Sequence, residues 1–167
     1  GDNICIIASN IVQGGPREKE GVDNFNGTYI ERYTVPLDGN KLIRALKYIK
    51  SAYCVYKQRY SQETVVVARY HWNVVLCYAA GYRHIHYLVP GVVKYQNDKK
   101  NAATSNLSYK IESLVQKLSF KLANKIFVFS NNMIEQVKQV ENKSLPIKVL
   151  PGINVDKFYP IAKNDHA

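Results

Sequence analysis

The chain has 167 residues, of which 46% are apolar, so it has the length of one ordinary domain and enough apolar side chains to bury a core. No apolar run approaches the roughly 18 residues that a membrane-spanning helix requires, and no secretory signal opens the sequence, so we expect a soluble, cytosolic protein. The formal net charge of +10 predicts attraction to phosphate, whether in nucleic acid, anionic lipid or nucleotide substrates.

The first part of the chain predicts two strands separated by a loop. Residues 3–9, NICIIAS, form a short apolar run typical of a buried strand. Residues 10–27 carry glycines, a proline and mixed charge, which predicts a long loop, and Gly14-Gly15 opens no helix that would cradle phosphate. Residues 28–36 alternate in polarity like a strand with one wetter face. Because no helix joins these strands, we expect the second to be an edge or antiparallel strand.

A basic amphipathic helix follows, capped by Asp38 or Asn40 and extending to about Tyr60. At about 100° per residue, its apolar side chains share one face that we expect to point inward. These side chains are Leu42, Ala45, Leu46, Ile49, Ala52, Tyr53 and Tyr56. The rest of the surface is basic and contains Lys41, Arg44, Lys47 and Lys50.

From Thr64 onward, strands and helices alternate regularly. The predicted strands are TVVVA, HIHYLVP, IFVF and IKVL, and the helices between them are NVVLCYAAG, SNLSYKIESLVQKLSFKLANK and SNNMIEQVKQVEN. Gly81 closes the first helix, while Ser105 and Ser130 cap the other two. We therefore expect an α/β, Rossmann-like fold, with a mostly parallel sheet and helices on both faces.

Cysteine and histidine residues do not predict a metal site. Cys5, Cys54 and Cys77 have apolar neighbours and no CxxC spacing, so we expect buried free thiols. His84 and His86 lie two residues apart on a predicted strand, but no Cys, Asp or Glu cluster completes a ligand set. A packed or partly exposed pair is the expected state.

Three segments, in order, carry a resemblance to a known family. The first is VVVARYHW, a strand that ends in His71 before a helix, and the second is NKIFVFSNNMIEQV, a strand followed by Ser130 and a helix. The third is VLPGINVDKFYP. It keeps a family spacing at Gly152, Ile153, Asn154, Phe158 and Pro160. Together they resemble the amino-terminal domain of the retaining, GT-B fold glycosyltransferases of family 4.

The resemblance implies a domain organisation. Residues 1–150 would form the acceptor-side domain, one half of a GT-B fold, and residues 151–167 would link it to a donor-binding domain. The family domain's first strand and helix would precede Gly1, because GDNICIIAS resembles a later family segment. Gly152, Asn154 and Phe158 would form the hinge between the domains. We expect the 167-residue chain alone to be inactive, since most donor-site residues would lie in the second domain.

The resemblance also implies a reaction. A sugar would pass from a nucleotide-sugar donor to a glycan or lipid-linked acceptor, in the synthesis of cell-surface polysaccharide or glycolipid. The anomeric configuration would be retained, with no metal and no cofactor. Pro90-Gly91 stand where the family often has a His-Gly pair, so the hydrogen bond of that histidine is absent, although both residues stay candidates for sugar binding. Asn154 replaces the family's usual aspartate and keeps an acceptor oxygen for a local turn.

His71 is the best polar candidate for contact with acceptor or donor sugar, since open α/β sheets bind ligands at the carboxyl ends of their strands. Its alternative role is to cap the next helix or to bind backbone, and the sequence does not choose between the two. Arg69, Trp72 and Asn73 share this loop, where free helix N–H groups are suited to sugar or phosphate. Packing of Trp72 is favoured over stacking on a sugar ring, and Ser130 is expected to be a helix cap rather than a nucleophile.

Lys110, Lys117 and Lys121 give a later helix a basic face like that of the helix at residues 40–60. A solvated basic face opposite an inward apolar face explains them first, and peripheral association with an anionic membrane is a second hypothesis. Two other classes of function stay open. One is a stand-alone nucleotide-binding or regulatory module. The other is a basic nucleic-acid-binding domain, which the scattered tyrosines and the lack of a known binding motif disfavour.

Overall fold

The computed structural model describes residues 5–9, 21–25, 28–33, 40–96 and 106–149. The elements in these ranges are β1 (Cys5–Ser9), β2 (Gly21–Phe25), β3 (Thr28–Tyr33), α1 (Lys41–Gln58), β4 (Val65–Ala68), α2 (His71–Ala80), β5 (His84–Leu88), α3 (Val93–Gln96), α4 (Asn106–Leu122), β6 (Lys125–Val128), α5 (Asn131–Val140) and β7 (Pro146–Lys148). Gly14-Gly15, Ser105 and the hinge residues Gly152, Asn154 and Phe158 lie outside the described ranges.

Strands β4 to β7 form a parallel sheet in the order β4-β5-β6-β7. A helix lies in each connection between successive strands, which is the arrangement that parallel pairing requires. Ile85, Tyr87, Ile126 and Val128 lie at the centre of the core, and each is no more than 4% exposed. The Rossmann-like α/β class predicted from the sequence is confirmed.

A second sheet has the order β1-β3-β2. β3 lies in its middle, parallel to β1 and antiparallel to β2. The expectation that residues 28–36 form an edge strand is wrong, because Gly21–Phe25, inside the predicted loop, forms β2 and pairs with β3. The alternative expectation, that this segment forms an antiparallel strand, is confirmed for its pairing with β2 but not for its pairing with β1.

The four-stranded sheet has one buried face and one partly open face. Right-handed crossovers between strands in consecutive order place the connecting helices on one side of a sheet. Ile85 and Tyr87 of β5 are buried on that side, whereas Val65 and Val67 of the edge strand β4 are 57% and 62% exposed. Since side chains alternate along a strand, the two valines belong to the opposite face.

Helix α1 connects the two sheets. The rings of Tyr48 on α1 and Tyr33 on β3 lie 5.8 Å apart between centroids. Arg59, just after α1, donates to Glu31 of β3 at 2.7 Å. On the other side, the Tyr82 hydroxyl donates to the Tyr56 carbonyl oxygen at 3.0 Å. α1 therefore bridges the three-stranded sheet and the layer that contains α2.

The predicted apolar face of α1 is buried mainly in the second half of the helix. Ala52 and Tyr56 are 0% and 5% exposed, as expected. The prediction is wrong for four other members of that face, which are exposed: Leu42, Ala45, Leu46 and Tyr53. Periodicity identifies the side chains that share a face, but it does not say how much of the helix a neighbouring element covers.

Helix α4 departs from the expected inward apolar face. Its buried side includes the polar residues Gln116 and Ser119, which are 2% and 0% exposed. Leu107 and Leu114, by contrast, are 67% and 68% exposed. The prediction that the apolar face of this helix points inward is wrong for these leucines, since Gln116 and Ser119 lie with Phe120 on the buried side. Even so, no helix in the described ranges is both long and apolar enough to cross a membrane.

The three cysteines differ in their surroundings. All are free thiols, but Cys5 and Cys54 are exposed and only Cys77 is buried, so the prediction of three buried thiols is wrong for two of them. Burial raises the pKa of the Cys77 thiol to about 12, and the group is therefore neutral at physiological pH. Cys77 acts as a small apolar side chain in the core.

Gly81 ends helix α2 as predicted. Its φ of 117° lies in the region that favours glycine, and this turn lets the Tyr82 N–H bind the Cys77 carbonyl at 3.1 Å. A Cβ at this position would lie 3.1 Å from the Tyr60 ring. The end of α2 thus depends on a residue without a side chain.

We expect Gly81→Ala to lower the free energy of unfolding by about 1–2 kcal/mol, because it combines backbone strain with crowding of Tyr60. Urea unfolding followed by circular dichroism measures this change. Gly91→Ala is the matched control, since Gly91 is a described glycine without positive φ. Equal unfolding midpoints for Gly81→Ala and the unchanged chain would contradict the role assigned to this turn.

Candidate functional site

The residues singled out in the sequence lie at one edge of the four-stranded sheet. β4 ends at Ala68 and β5 ends at Leu88, so the segments that follow both leave from the carboxyl ends of neighbouring parallel strands. The first segment contains Arg69, His71, Trp72 and Asn73, and the second contains Pro90 and Gly91. Ligands of open α/β sheets bind at such an edge. We call it the carboxyl edge.

Glu112 of α4 is the centre of the hydrogen bonding at this edge. Its Oε1 accepts from Trp72 Nε1 at 3.1 Å, and its Oε2 binds His71 Nε2. Because a carboxylate only accepts hydrogen bonds, the Nε2 atom of His71 carries the proton. One carboxylate therefore holds two consecutive residues in the first turn of α2.

His71 is the first residue of α2, so the helix begins two residues earlier than the predicted start near Asn73. The imidazole is 6% exposed and is directed at α4. Glu112, whose side chain is 36% exposed, presents more polar surface to solvent than His71 does. Of the two roles considered for His71, the structural one agrees with this burial, and Glu112 is the more accessible polar group.

The charge of Glu112 lies at the positive end of α2. No side chain caps this end, where Tyr70 is the N-cap residue, and the first turn contains no acidic residue. The contacts to His71 and Trp72 bring the Glu112 carboxylate to this turn from another helix, which complements the helix dipole. An incoming phosphate would meet this negative charge at the start of α2.

Tyr70 adds a neutral hydroxyl to the edge. Its ring packs on the His71 imidazole, with 4.5 Å between centroids, and 40% of the residue is exposed. Burial of the hydroxyl raises the pKa of Tyr70 to about 12, and the negative charge of Glu112 contributes to the rise. The phenol therefore stays protonated at physiological pH, and its hydroxyl donates to the Glu112 carboxylate.

Asn73 and Arg69 differ in their availability to a ligand. The Tyr48 hydroxyl of α1 donates to Asn73 Oδ1 at 2.9 Å, so this oxygen is engaged inside the protein. Burial raises the pKa of Tyr48, and its hydroxyl remains a donor. Arg69 is exposed. Of these two predicted site residues, Arg69 is the one that offers its charge to solvent.

Gln116 fixes the second segment of the carboxyl edge. Its Nε2 donates to the Gly91 carbonyl at 2.8 Å and to the Tyr87 hydroxyl at 3.3 Å, and its Oε1 accepts from the Val93 N–H at 2.8 Å. The side chain is thus buried with its polar groups satisfied, which a polar core residue requires. Gly91 is held by its backbone, while Pro90 is exposed beside it.

Sequence reasoning missed Glu112, Gln116 and Tyr48. Glu112 and Gln116 are spaced by four residues, so they share one face of α4 with the buried Ser119 close by. A row of polar residues opposite a row of leucines was the available signal. The expectation that the leucine row faces the core hides this signal, because it places the polar row in solvent.

The other polar residues singled out in the sequence cap helices or lie on strand β5. The Ser130 hydroxyl oxygen accepts from the Met133 N–H at 3.2 Å, which confirms its predicted role as a cap. Asn40 caps α1 by accepting from the Leu42 N–H at 3.0 Å. His84 is exposed and His86 partly exposed on β5, as expected. Within the described ranges, no three His, Cys, Asp or Glu side chains converge as a metal site would require.

The pKa of His86 is lowered in the folded protein. Partial burial lowers the pKa of His86 below its ordinary value, and the positive charges of Lys125 and His84 lower it further. Its ring packs edge-on against Phe127, with 5.7 Å between centroids. The folded state therefore favours the neutral imidazole.

The comparisons with known proteins give no family. No protein-family profile matches the chain, and no curated protein sequence matches it. The functional argument therefore depends on the residues and the geometry of the carboxyl edge.

Glu112→Gln should lower the free energy of unfolding by about 1–2 kcal/mol, because an amide cannot accept from both His71 and Trp72. Trp72 is the only tryptophan of the chain, so its emission during urea unfolding reports on this site directly. Glu135→Gln on α5 is the control, because Glu135 is exposed and makes a surface pair with Lys138. We expect that control to change stability by less than about 0.5 kcal/mol. Equal effects of the two substitutions would refute the role of Glu112.

The pKa of His86 should lie below that of a free histidine in a nuclear magnetic resonance titration. Lys125→Gln should raise it, while Lys121→Gln on α4 should leave it unchanged. Because the unfolded chain binds this proton more readily, the contribution of His86 to stability is complete above about pH 6.5 and is lost as pH falls through the folded pKa. A His86 pKa at or above the ordinary value would contradict the assigned cause.

Proposed function

We propose that this chain is the acceptor-side domain of a retaining, GT-B fold glycosyltransferase of family 4. The enzyme would move a sugar from a nucleotide-sugar donor to a glycan or lipid-linked acceptor in cell-surface polysaccharide or glycolipid synthesis. The observation that carries the proposal is the partly exposed Glu112 side chain at the carboxyl edge, whose carboxylate is held by His71 and Trp72.

The chemistry of this edge suits a sugar. A carboxylate accepts strong hydrogen bonds from hydroxyl groups, and the Tyr70 hydroxyl beside it adds a neutral polar group. The partly exposed Trp72 offers apolar ring surface beside them. Polar groups of both kinds next to an aromatic ring are what recognition of a hydroxyl-rich ring requires.

The electrostatics support acceptor binding rather than donor binding. The positive end of α2 is the place where a helix would bind a diphosphate, but Glu112 already brings negative charge there. A nucleotide diphosphate would be repelled at this point. In the proposal, the second domain therefore binds most of the donor, and the exposed Arg69 is the cation of this edge that can approach its phosphates.

The order of the elements supports the same proposal. β4 leads into His71 at the start of α2, and β6 leads into Ser130 at the cap of α5, as in the family's strand–histidine–helix and strand–serine–helix segments. Within this domain, Glu112 orients the first turn of α2 and accepts from an acceptor hydroxyl. Transfer requires the donor in the facing domain, so the 167-residue chain alone should be inactive.

The proposal is tested by titrating the purified 167-residue chain with octyl glycosides and with nucleotide sugars, using Trp72 emission and calorimetry. We expect saturable changes with glycosides that bear a suitable acceptor sugar, and weak or no response to nucleotide sugars. Glu112→Gln should weaken glycoside binding about tenfold, since a charge-assisted hydrogen bond is lost. Glu135→Gln should bind like the unchanged chain.

Three results would overturn the proposal. Tight binding of nucleotide sugars without glycoside binding would favour a nucleotide-binding or regulatory module. Steeply salt-dependent binding of nucleic acid would favour the nucleic-acid class instead. Sugar transfer from any nucleotide sugar by this chain alone would contradict the assignment of the donor site to a second domain.

A further inference from the structure

A groove runs between helices α4 and α5. Its larger part is a cavity of about 890 Å³ at the amino ends of β6 and β7, at the opposite end of the sheet from the carboxyl edge. A smaller cavity of about 370 Å³ continues it along α4, where Leu114 lines it. Lys117, Gln139 and Val140 line both cavities, so the two form one continuous groove.

The groove exposes a leucine in each of its two cavities. Leu145, in the larger one, is 84% exposed, the highest value among the large apolar side chains of the described ranges. Its backbone is fixed, because the buried Ser144 donates its N–H to the Glu141 carbonyl at 3.1 Å and Pro146 opens β7. Leu114 is 68% exposed in the smaller cavity. A single exposed leucine is ordinary, but two that line one groove are typical of a contact surface.

Lysines surround these leucines, and we call the groove the lysine groove. The charged side chains that line its two cavities are Lys94, Lys110, Lys117, Lys121, Lys138, Lys143 and Glu141. The single carboxylate among them is already paired, since Glu141 lies 3.6 Å from Lys121. The lining is therefore strongly positive around its apolar side chains.

Some of this positive charge has a use within the protein. Lys121 and Lys138 lie in the last turns of α4 and α5, where a cation offsets the helix dipole. Lys138 also pairs with Glu135 at 3.6 Å. In the part of the chain that the structure describes, no carboxylate lies within ion-pair distance of Lys117 or Lys143. These two lysines keep their charge for a partner.

We propose that the lysine groove docks an acidic amphipathic helix of a partner protein. Leu114 and Leu145 contact the apolar face of that helix, and Lys117 and Lys143 pair with its carboxylates. From Lys110 to Lys121 the groove follows α4 for about 16 Å, at about 1.5 Å per residue, so about three turns of a bound helix fit along it.

Shape and charge favour this occupant over others. A bilayer is a flat surface and does not enter a concave groove between two helices. A nucleic acid or a free phosphate would pair with the lysines but would leave Leu114 and Leu145 in water. A second copy of the chain, with a net charge of +10, would bring like charge to the lysines.

The docking does not depend on sugar transfer, so it is tested without donor or acceptor. The probe is a labelled synthetic helix of about four turns, with leucines along one face and glutamates on both flanks. We expect saturable binding to the 167-residue chain by fluorescence anisotropy. Lysines in place of the glutamates, or serines in place of the leucines, should weaken binding at least about tenfold. No saturation at about 1 mM probe would overturn the proposal.

A pair of charge variants locates the site. Lys117→Glu with Lys143→Glu should weaken binding of the acidic probe at least about tenfold, because attraction becomes repulsion. Lys47→Glu with Lys50→Glu makes the same change in net charge on α1, which does not line the groove, and should weaken binding less than about twofold. All four lysines are exposed, so the variants should fold, and circular dichroism checks this.

A pair of leucine variants tests the apolar contact. Leu145→Ser should weaken binding of the probe at least about fivefold, because a preorganised apolar contact is lost. Leu42→Ser on α1 is the matched control, since Leu42 is 66% exposed and lies outside the groove. The control should bind the probe like the unchanged chain.

Three further results would overturn the proposal. Equal losses from the two charge variants would show attraction by net charge without a docking site. Binding to phosphatidylglycerol vesicles that Leu145→Ser abolishes, without binding of the acidic probe, would assign the groove to lipid. A dimer of the free chain that Leu145→Ser dissolves, measured by analytical ultracentrifugation, would assign it to a second copy.

Discussion

The buried polar side of α4 is the constraint on which the carboxyl edge depends. Glu112 binds the first turn of α2, and Gln116 binds the segment after β5, so one helix holds both parts of the edge. Buried polar groups are costly without partners, and these partners come from two separate parts of the chain, the start of α2 and the segment after β5. Rotation of α4 about its axis would leave the Val93 N–H and the Gly91 carbonyl without partners. The hydrogen bonds therefore specify the orientation of α4 where apolar packing alone would not.

This constraint explains why Leu107 and Leu114 of α4 are exposed. A helix with apolar residues on one side usually turns that side to the core, because burial of apolar area is favourable. In α4, the ends of β4 and β5 present polar groups to the helix, and Glu112, Gln116 and Ser119 face them. The aliphatic side is then directed outward, and its exposure follows from the polar requirements of the site.

The elements from Thr64 to β7 could be predicted because their signals are local. A β-branched run, a glycine at a helix end and a serine three residues before the N–H that it binds all act within a few residues. Gly81 and Ser130 accordingly have their predicted roles. β2 could not be predicted, because GVDNF has little strand propensity and depends on pairing with β3. Cys5 and Cys54 were misplaced because apolar neighbours in sequence do not ensure burial in space.

The candidate site could be predicted in position but not in composition. The rule that ligands bind at the carboxyl ends of parallel strands located the segment from Arg69 to Asn73 correctly on the sheet. It could not supply Glu112, which lies 40 residues beyond Trp72 in the chain and meets it only after α4 has packed. The choice among His71, Trp72 and Glu112 as the ligand-facing group depends on exposure, which is a tertiary property. Once the carboxylate is placed at the start of α2, its charge opposes phosphate and its oxygens accept from hydroxyl groups. In the proposed function, the same tertiary contact that hides His71 therefore also sets the kind of ligand that the edge binds.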